Sequence, residues 1–133
     1  MFDWSTMRKV NNFVEDATDH GAGNLKWDST TVCTLTVPDG KRWYLIGGTT
    51  YRDQAATVSV IVYDNDDKPI LPLMYDSAGT GRRGFPHSDA YSASEAFKAI
   101  PCILDQGEYI KFEFGAAQDA VAYVTALVME GDV

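Results

Sequence analysis

The chain has 133 residues, 45% of them hydrophobic, with 19 acidic against 11 basic side chains and a formal charge of -8. That length suits a single domain with its own core, and the negative charge disfavours a nucleic-acid partner. No apolar run reaches the roughly 18 to 20 residues of a membrane helix, and the opening MFDWSTMRKV lacks a charged region followed by an apolar one, so neither a membrane partner nor a secretion signal is expected.

Residues 3–19 predict an amphipathic helix, because Trp4, Met7, Val10, Phe13, Val14 and Ala17 recur at steps of three and four. Asp3 or Ser5 can cap its start, and Gly21 can stop it. With the glycine-containing linker HGAGN, this gives an N-terminal helical arm over residues 1–30, packed on its own sheet or on a partner. A β domain is expected over residues 31–133.

After Thr30 the apolar period falls to two. TVCTLTV places Cys33, Leu35 and Val37 on one face, and Pro38-Asp39-Gly40 is a turn. KRWYLIGG is apolar on both faces; ATVSVIVYD aligns Val58, Val60 and Val62; and Asn65-Asp66-Asp67 turns the chain again. Two prolines place PILPLMY at a sheet edge or a bulge. AIPCIL and YIKFEFG, joined at Asp105-Gln106-Gly107, read as a hairpin, with Ile110, Phe112 and Phe114 facing opposite to Tyr109, Lys111 and Glu113. AVAYVTALVME is the last strand. At least seven short strands with regular turn signals predict an all-β fold, a single jelly-roll β-sandwich behind the helical arm.

Between the strands lies Gly79-Thr80-Gly81-Arg82-Arg83-Gly84, a literal G-x-G-x-x-G. A dinucleotide loop needs a helix after its glycines to receive the pyrophosphate. Here Pro86 follows and no helical stripe begins, so a contact loop is expected instead. Residues 77–94 are expected to be mobile until a neighbour orders them through Arg82, Arg83, Phe85 and Tyr91.

No catalytic constellation, cofactor motif or metal spacing is found. Cys33 and Cys102 lie in apolar stretches and are expected to be unreactive thiols. His20 and His87 stand in no metal-ligand spacing, Ser88, His87 and Asp89 lack a nucleophile elbow, and Glu113 and Glu130 are expected to be solvated. Trp43 and Tyr44 are consecutive, so one of them faces away from its core. With Tyr109 and Tyr51 they are candidate contact residues for a subunit interface or a sugar platform.

VPDGKRWYLIGG, ATVSVIVYD and IPCILDQGEYIKFEFG, with Pro101, Leu104, Gly107, Ile110 and Phe112 ahead of the long last strand, resemble the small single-jelly-roll virion proteins of tailed bacterial viruses. These are decoration, cement and head-fibre proteins, and trimeric tumour-necrosis-factor-like domains share much of the spacing. The resemblance covers roughly residues 31–133. It implies a non-enzymatic capsid decoration protein, made in the host cytoplasm and assembled as a symmetric homotrimer on a viral capsid protein. The alternatives are a carbohydrate-binding or receptor-binding module with a glycan partner, and a single-jelly-roll capsid subunit.

Overall fold

The computed structural model of the chain describes residues 7–13, 25–77, 79–88, 101–119 and 121–133. They form eleven strands: β1 (Met7–Phe13), β2 (Leu25–Trp27), β3 (Val32–Thr36), β4 (Lys41–Arg52), β5 (Val58–Tyr63), β6 (Pro69–Asp76), β7 (Gly81–Phe85), β8 (His87–Ser88), β9 (Cys102–Leu104), β10 (Tyr109–Phe114) and β11 (Tyr123–Asp132). One sheet runs β1-β11-β4-β7, with β9 also paired to β4, and the other runs β2-β3-β10-β5-β6-β8. All pairings are antiparallel except the short β6–β8 contact.

The two sheets close on one core, and strict alternation builds it. Cys33 and Leu35 of β3, Val58, Val60 and Val62 of β5, and Ile110, Phe112 and Phe114 of β10 point inward from the second sheet. Trp43, Leu45, Phe85 and Leu104 meet them from the first. β11 contributes only the smaller Val124, Ala126 and Val128 to that layer, which leaves room for the rings. Phe85 and Phe112 meet tilted, with centroids 5.9 Å apart. Gly48 is required here, because a Cβ at this position would overlap the Phe85 ring and the Thr125 carbonyl. Each fully buried apolar side chain contributes about 1.5–3 kcal/mol of transfer free energy.

Several expectations hold. The inward rows of β3, β5 and β10 are those read from the sequence. Pro69 and Pro72 lie in a strand whose register with β5 shifts twice. Both cysteines are free thiols, with Cys33 buried and Cys102 half-buried; burial, reinforced by Glu108, pushes the Cys102 thiol up to about 11. Other expectations are corrected. Residues 7–13 are not helical: they form β1, paired along its whole length with β11. β1 and β2 therefore belong to the same two sheets as the rest of the chain. The remainder of the expected helix and its linker, residues 1–6 and 14–24, lie outside the described residues. Nor is there a hairpin at Asp105-Gln106-Gly107: β9 pairs with β4 in one sheet and β10 with β3 and β5 in the other, so this turn carries the chain across the sandwich.

One end of the sandwich is fastened by charge. Arg52, on the last residue of β4, is buried and ion-paired with the buried Asp76 at the end of β6 in the opposite sheet. Its guanidinium also donates to the carbonyls of Ala56 at 2.6 Å and Ser77 at 3.0 Å. Arg83 of β7 approaches the same carboxylate at 3.4 Å. Such a pair gains little over an apolar replacement, but losing one partner strands the other charge in a dry site. Asp76→Asn or Arg52→Met should therefore lower unfolding stability by about 3–5 kcal/mol. The double change Arg52→Met with Asp76→Leu should recover most of that loss, as read from urea midpoints.

Candidate functional site

Inward alternation leaves two outer faces, and each carries a stacked tyrosine pair. On the β10–β5 sheet, Tyr109 and Tyr63 are direct cross-strand partners, with centroids 5.2 Å apart and planes 5° from parallel. The Lys111 ammonium lies 5.5 Å from the Tyr63 ring centroid, a cation–π contact that extends the stack. The Tyr109 hydroxyl donates to Asp67 Oδ1 at 2.9 Å and so fixes the ring. Asp67 stands in the turn between β5 and β6, where the Asp64 carboxylate accepts from the backbone N–H groups of Asp66 and Lys68.

Beside this stack the surface steps down. β3 lies on the other flank of β10, and its outward residues, Val32, Thr34 and Thr36, are short where their partners Glu113, Lys111 and Tyr109 are long. The step forms a groove of about 340 Å³, lined by Asp28, Val32, Thr34, Thr36, Tyr109 and Lys111. Thr34 Oγ1 donates to Asp28 Oδ2 at 3.3 Å across it.

The opposite face, on the β11–β4 sheet, stacks Tyr51 against Tyr123 at 5.3 Å and 5°. Arg82 of β7 donates through Nε to the Tyr123 hydroxyl at 2.8 Å, with its guanidinium 5.9 Å from the Tyr51 centroid. The bond to Tyr123 holds the Arg82 pKa above its ordinary value. Half-buried Leu127 and Tyr44 continue this face toward Ile103, which is 55% exposed.

The sequence-predicted contact residues divide accordingly. Arg82, Tyr44 and Tyr109 reach outer faces. Trp43 and Phe85 do not: both are buried in the core, and Trp43 Nε1 donates to Glu130 Oε2 at 2.8 Å. Glu130 is thus half-buried and bonded, whereas Glu113 is exposed as expected. Arg83 is exposed but committed to Asp76. The expected mobile loop is ordered over residues 81–85 as β7, paired with β4 from Gly48 to Arg52, so the glycine pattern forms a strand and no phosphate cradle. Val10 is half-buried against the core; Met7 and Phe13 occupy register positions opposite Met129 and Tyr123. Trp4, Val14, Tyr91, His20 and Asp89 lie outside the described residues, and His87 and Ser88 form β8. Tyr51 was expected at an outer face, but Tyr63 and Tyr123 were missed, and neither stacked pair was foreseen. Only the register, which brings residues tens of positions apart into line, reveals the pairs. Among the described residues no three His, Cys, Asp or Glu side chains group as a metal site.

No protein-family model and no curated protein matches the chain. Among solved structures it is similar to the N-terminal cellulose-binding domain from Cellulomonas fimi β-1,4-glucanase C, at 17% identity and a TM-score of 0.27, over 99% of this chain and 82% of that one. A likeness of that degree carries no argument about ligand or family.

Burial first, then the bond to Asp67, pushes the Tyr109 hydroxyl up to about 12. A raised folded value means that the native state holds its proton longer than the unfolded chain, whose tyrosines titrate near 10. The contribution of this bond to stability is therefore full below about pH 10 and is lost as pH rises towards 12. Ultraviolet phenolate titration should find Tyr109 ionising late, and Asp67→Asn should bring it down.

Proposed function

We propose that the chain is a non-enzymatic virion structural protein, an auxiliary head protein of decoration or cement type that assembles as a symmetric homotrimer on a capsid protein lattice. The observation that carries this reading is strand order. Taking β1, β3, β4, β5, β6, β7, β10 and β11 as strands one to eight, the first sheet reads one-eight-three-six and the second two-seven-four-five. That order supports a jelly roll, two Greek keys wound into one sandwich, an architecture used by viral capsid and lectin domains.

A fold hosts many functions, so the surface must add to the argument. The β11–β4 outer face carries Tyr51, Tyr123, Leu127 and Tyr44, with the guanidinium of Arg82 held over its aromatic pair. Tyrosine and arginine are the residue types enriched at protein interfaces. On a chain of formal charge -8, Arg82 gives a second acidic copy an oppositely charged point of contact. A contact of the usual size, about 800 Å² per partner, would bury this face and offset the self-repulsion of the acidic chains.

Sedimentation velocity should find an oligomer that weakens as salt rises. Thr125→Glu, at the centre of the face, should give monomer with little change in melting temperature, and Arg82→Ala should weaken assembly and flatten its salt dependence. Antibodies raised against the chain should label purified virus particles from the source culture. A parent that stays monomeric, or particles without label, would count against this reading.

A further inference from the structure

We infer that the groove beside Tyr109, on the face opposite the proposed assembly surface, is a binding site for a neutral pyranose sugar. The argument starts from ring orientation. Tyr109 and Tyr63 are direct cross-strand partners with nearly parallel rings, so the stack runs across the strands. One face of Tyr109 is covered by Tyr63. Its other face turns toward β3, where the cross-strand partner is the short Thr36. Nothing on β3 reaches high enough to cover that face, and the result is the groove of about 340 Å³. The volume lies at the small end of the roughly 300–1,000 Å³ usual for small-molecule sites.

The walls select the ligand class. A pyranose ring with equatorial hydroxyls is amphipathic in two directions: its C–H faces are apolar and its rim is polar. The groove repeats that division. The aromatic wall of Tyr109 is held upright by Tyr63 on one side and by the hydroxyl bond to Asp67, so it is pre-organised to receive a C–H face. The floor and far wall provide the hydroxyls of Thr34 and Thr36 and the carboxylate of Asp28, which can accept from and donate to a rim of hydroxyls. The Lys111 stem continues the wall, while its ammonium is drawn toward Tyr63 and lies 4.0 Å from Glu113. With Asp28 on the groove and a chain charge of -8, an anionic sugar is disfavoured and a neutral one is favoured. This inference does not rest on the assembly reading, since the two surfaces lie on opposite sheets.

The test is a glycan array of neutral hexose and N-acetylhexosamine oligosaccharides, followed by calorimetric titration of the best binder into the parent and three variants. Tyr109→Ala removes the wall. Thr36→Tyr fills the groove from an outward position and leaves the core untouched. Tyr109→Phe keeps the ring and loses only the bond to Asp67. The expected result is saturable binding that falls about tenfold or more in Tyr109→Ala and Thr36→Tyr, the loss of one aromatic stacking contact, and stays within about threefold in Tyr109→Phe. Melting curves confirm that each variant is folded, and Thr36→Tyr carries the test if Tyr109→Ala is not. An array without any binder, or binding that survives the filled groove, overturns the inference. Neither outcome bears on the oligomeric state, which sedimentation reads separately.

Discussion

One extra residue in β4 decides which way the second half of that strand faces. Gly47 pairs with Leu127 and Leu45 with Val128, so Ile46 has no partner across the β4–β11 ladder. Such a bulge reverses the alternation beyond it. Before it, Trp43 and Leu45 point inward; after it, Thr50 and Arg52 do, while Gly48 lies beneath the ring of Phe85. If Ile46 were paired like its neighbours, with no bulge, the same residues would turn over. Arg52 would face solvent rather than Asp76, and Tyr51 would enter the core rather than stack on Tyr123. The cross-sheet ion pair and the outer tyrosine pair are therefore two consequences of one irregularity.

The other sheet obeys the same rule without a bulge in its central strand. Because Ile110, Phe112 and Phe114 must be buried, Tyr109, Lys111 and Glu113 must face outward, and each meets a fixed partner on β3 and on β5. On β5 those partners are Tyr63, Ile61 and Ser59, and on β3 they are Thr36, Thr34 and Val32. The difference in side-chain length between the two flanks makes a stack on one side and a groove on the other. The outer surface is thus a by-product of the register that the core imposes, with Asp28 of the β2–β3 turn added to the groove lining.

Much of this was legible in the sequence, for a local reason: a half-buried strand advertises itself by alternation, and β3, β5 and β10 alternate cleanly. What escaped was non-local. Met7, Val10 and Phe13 are spaced to suit a helix, yet β11 offers a complete row of backbone partners, and tertiary pairing overrides the local period. Gly81–Phe85 looked like a free loop because glycine and arginine are poor strand formers, but β4 pairs with it and Phe85 anchors it in the core. Of the adjacent Trp43 and Tyr44, one had to face outward; the bond from Trp43 to Glu130, 87 positions away, belongs to a register that the sequence does not display. The Tyr51–Tyr123 and Tyr63–Tyr109 stacks were hidden for the same reason.

The central claim is that the two outer faces do different work: the β4–β11 face meets other protein, and the β3–β10 face stays open to solvent and small ligands. Hydroxyl-radical footprinting across the concentration range of assembly reads both at once, because tyrosine side chains report their own exposure. The account predicts that oxidation of Tyr51 and Tyr123 falls as the protein assembles while that of Tyr63 and Tyr109 is unchanged. Protection of Tyr63 and Tyr109 with Tyr51 and Tyr123 still reactive would contradict it.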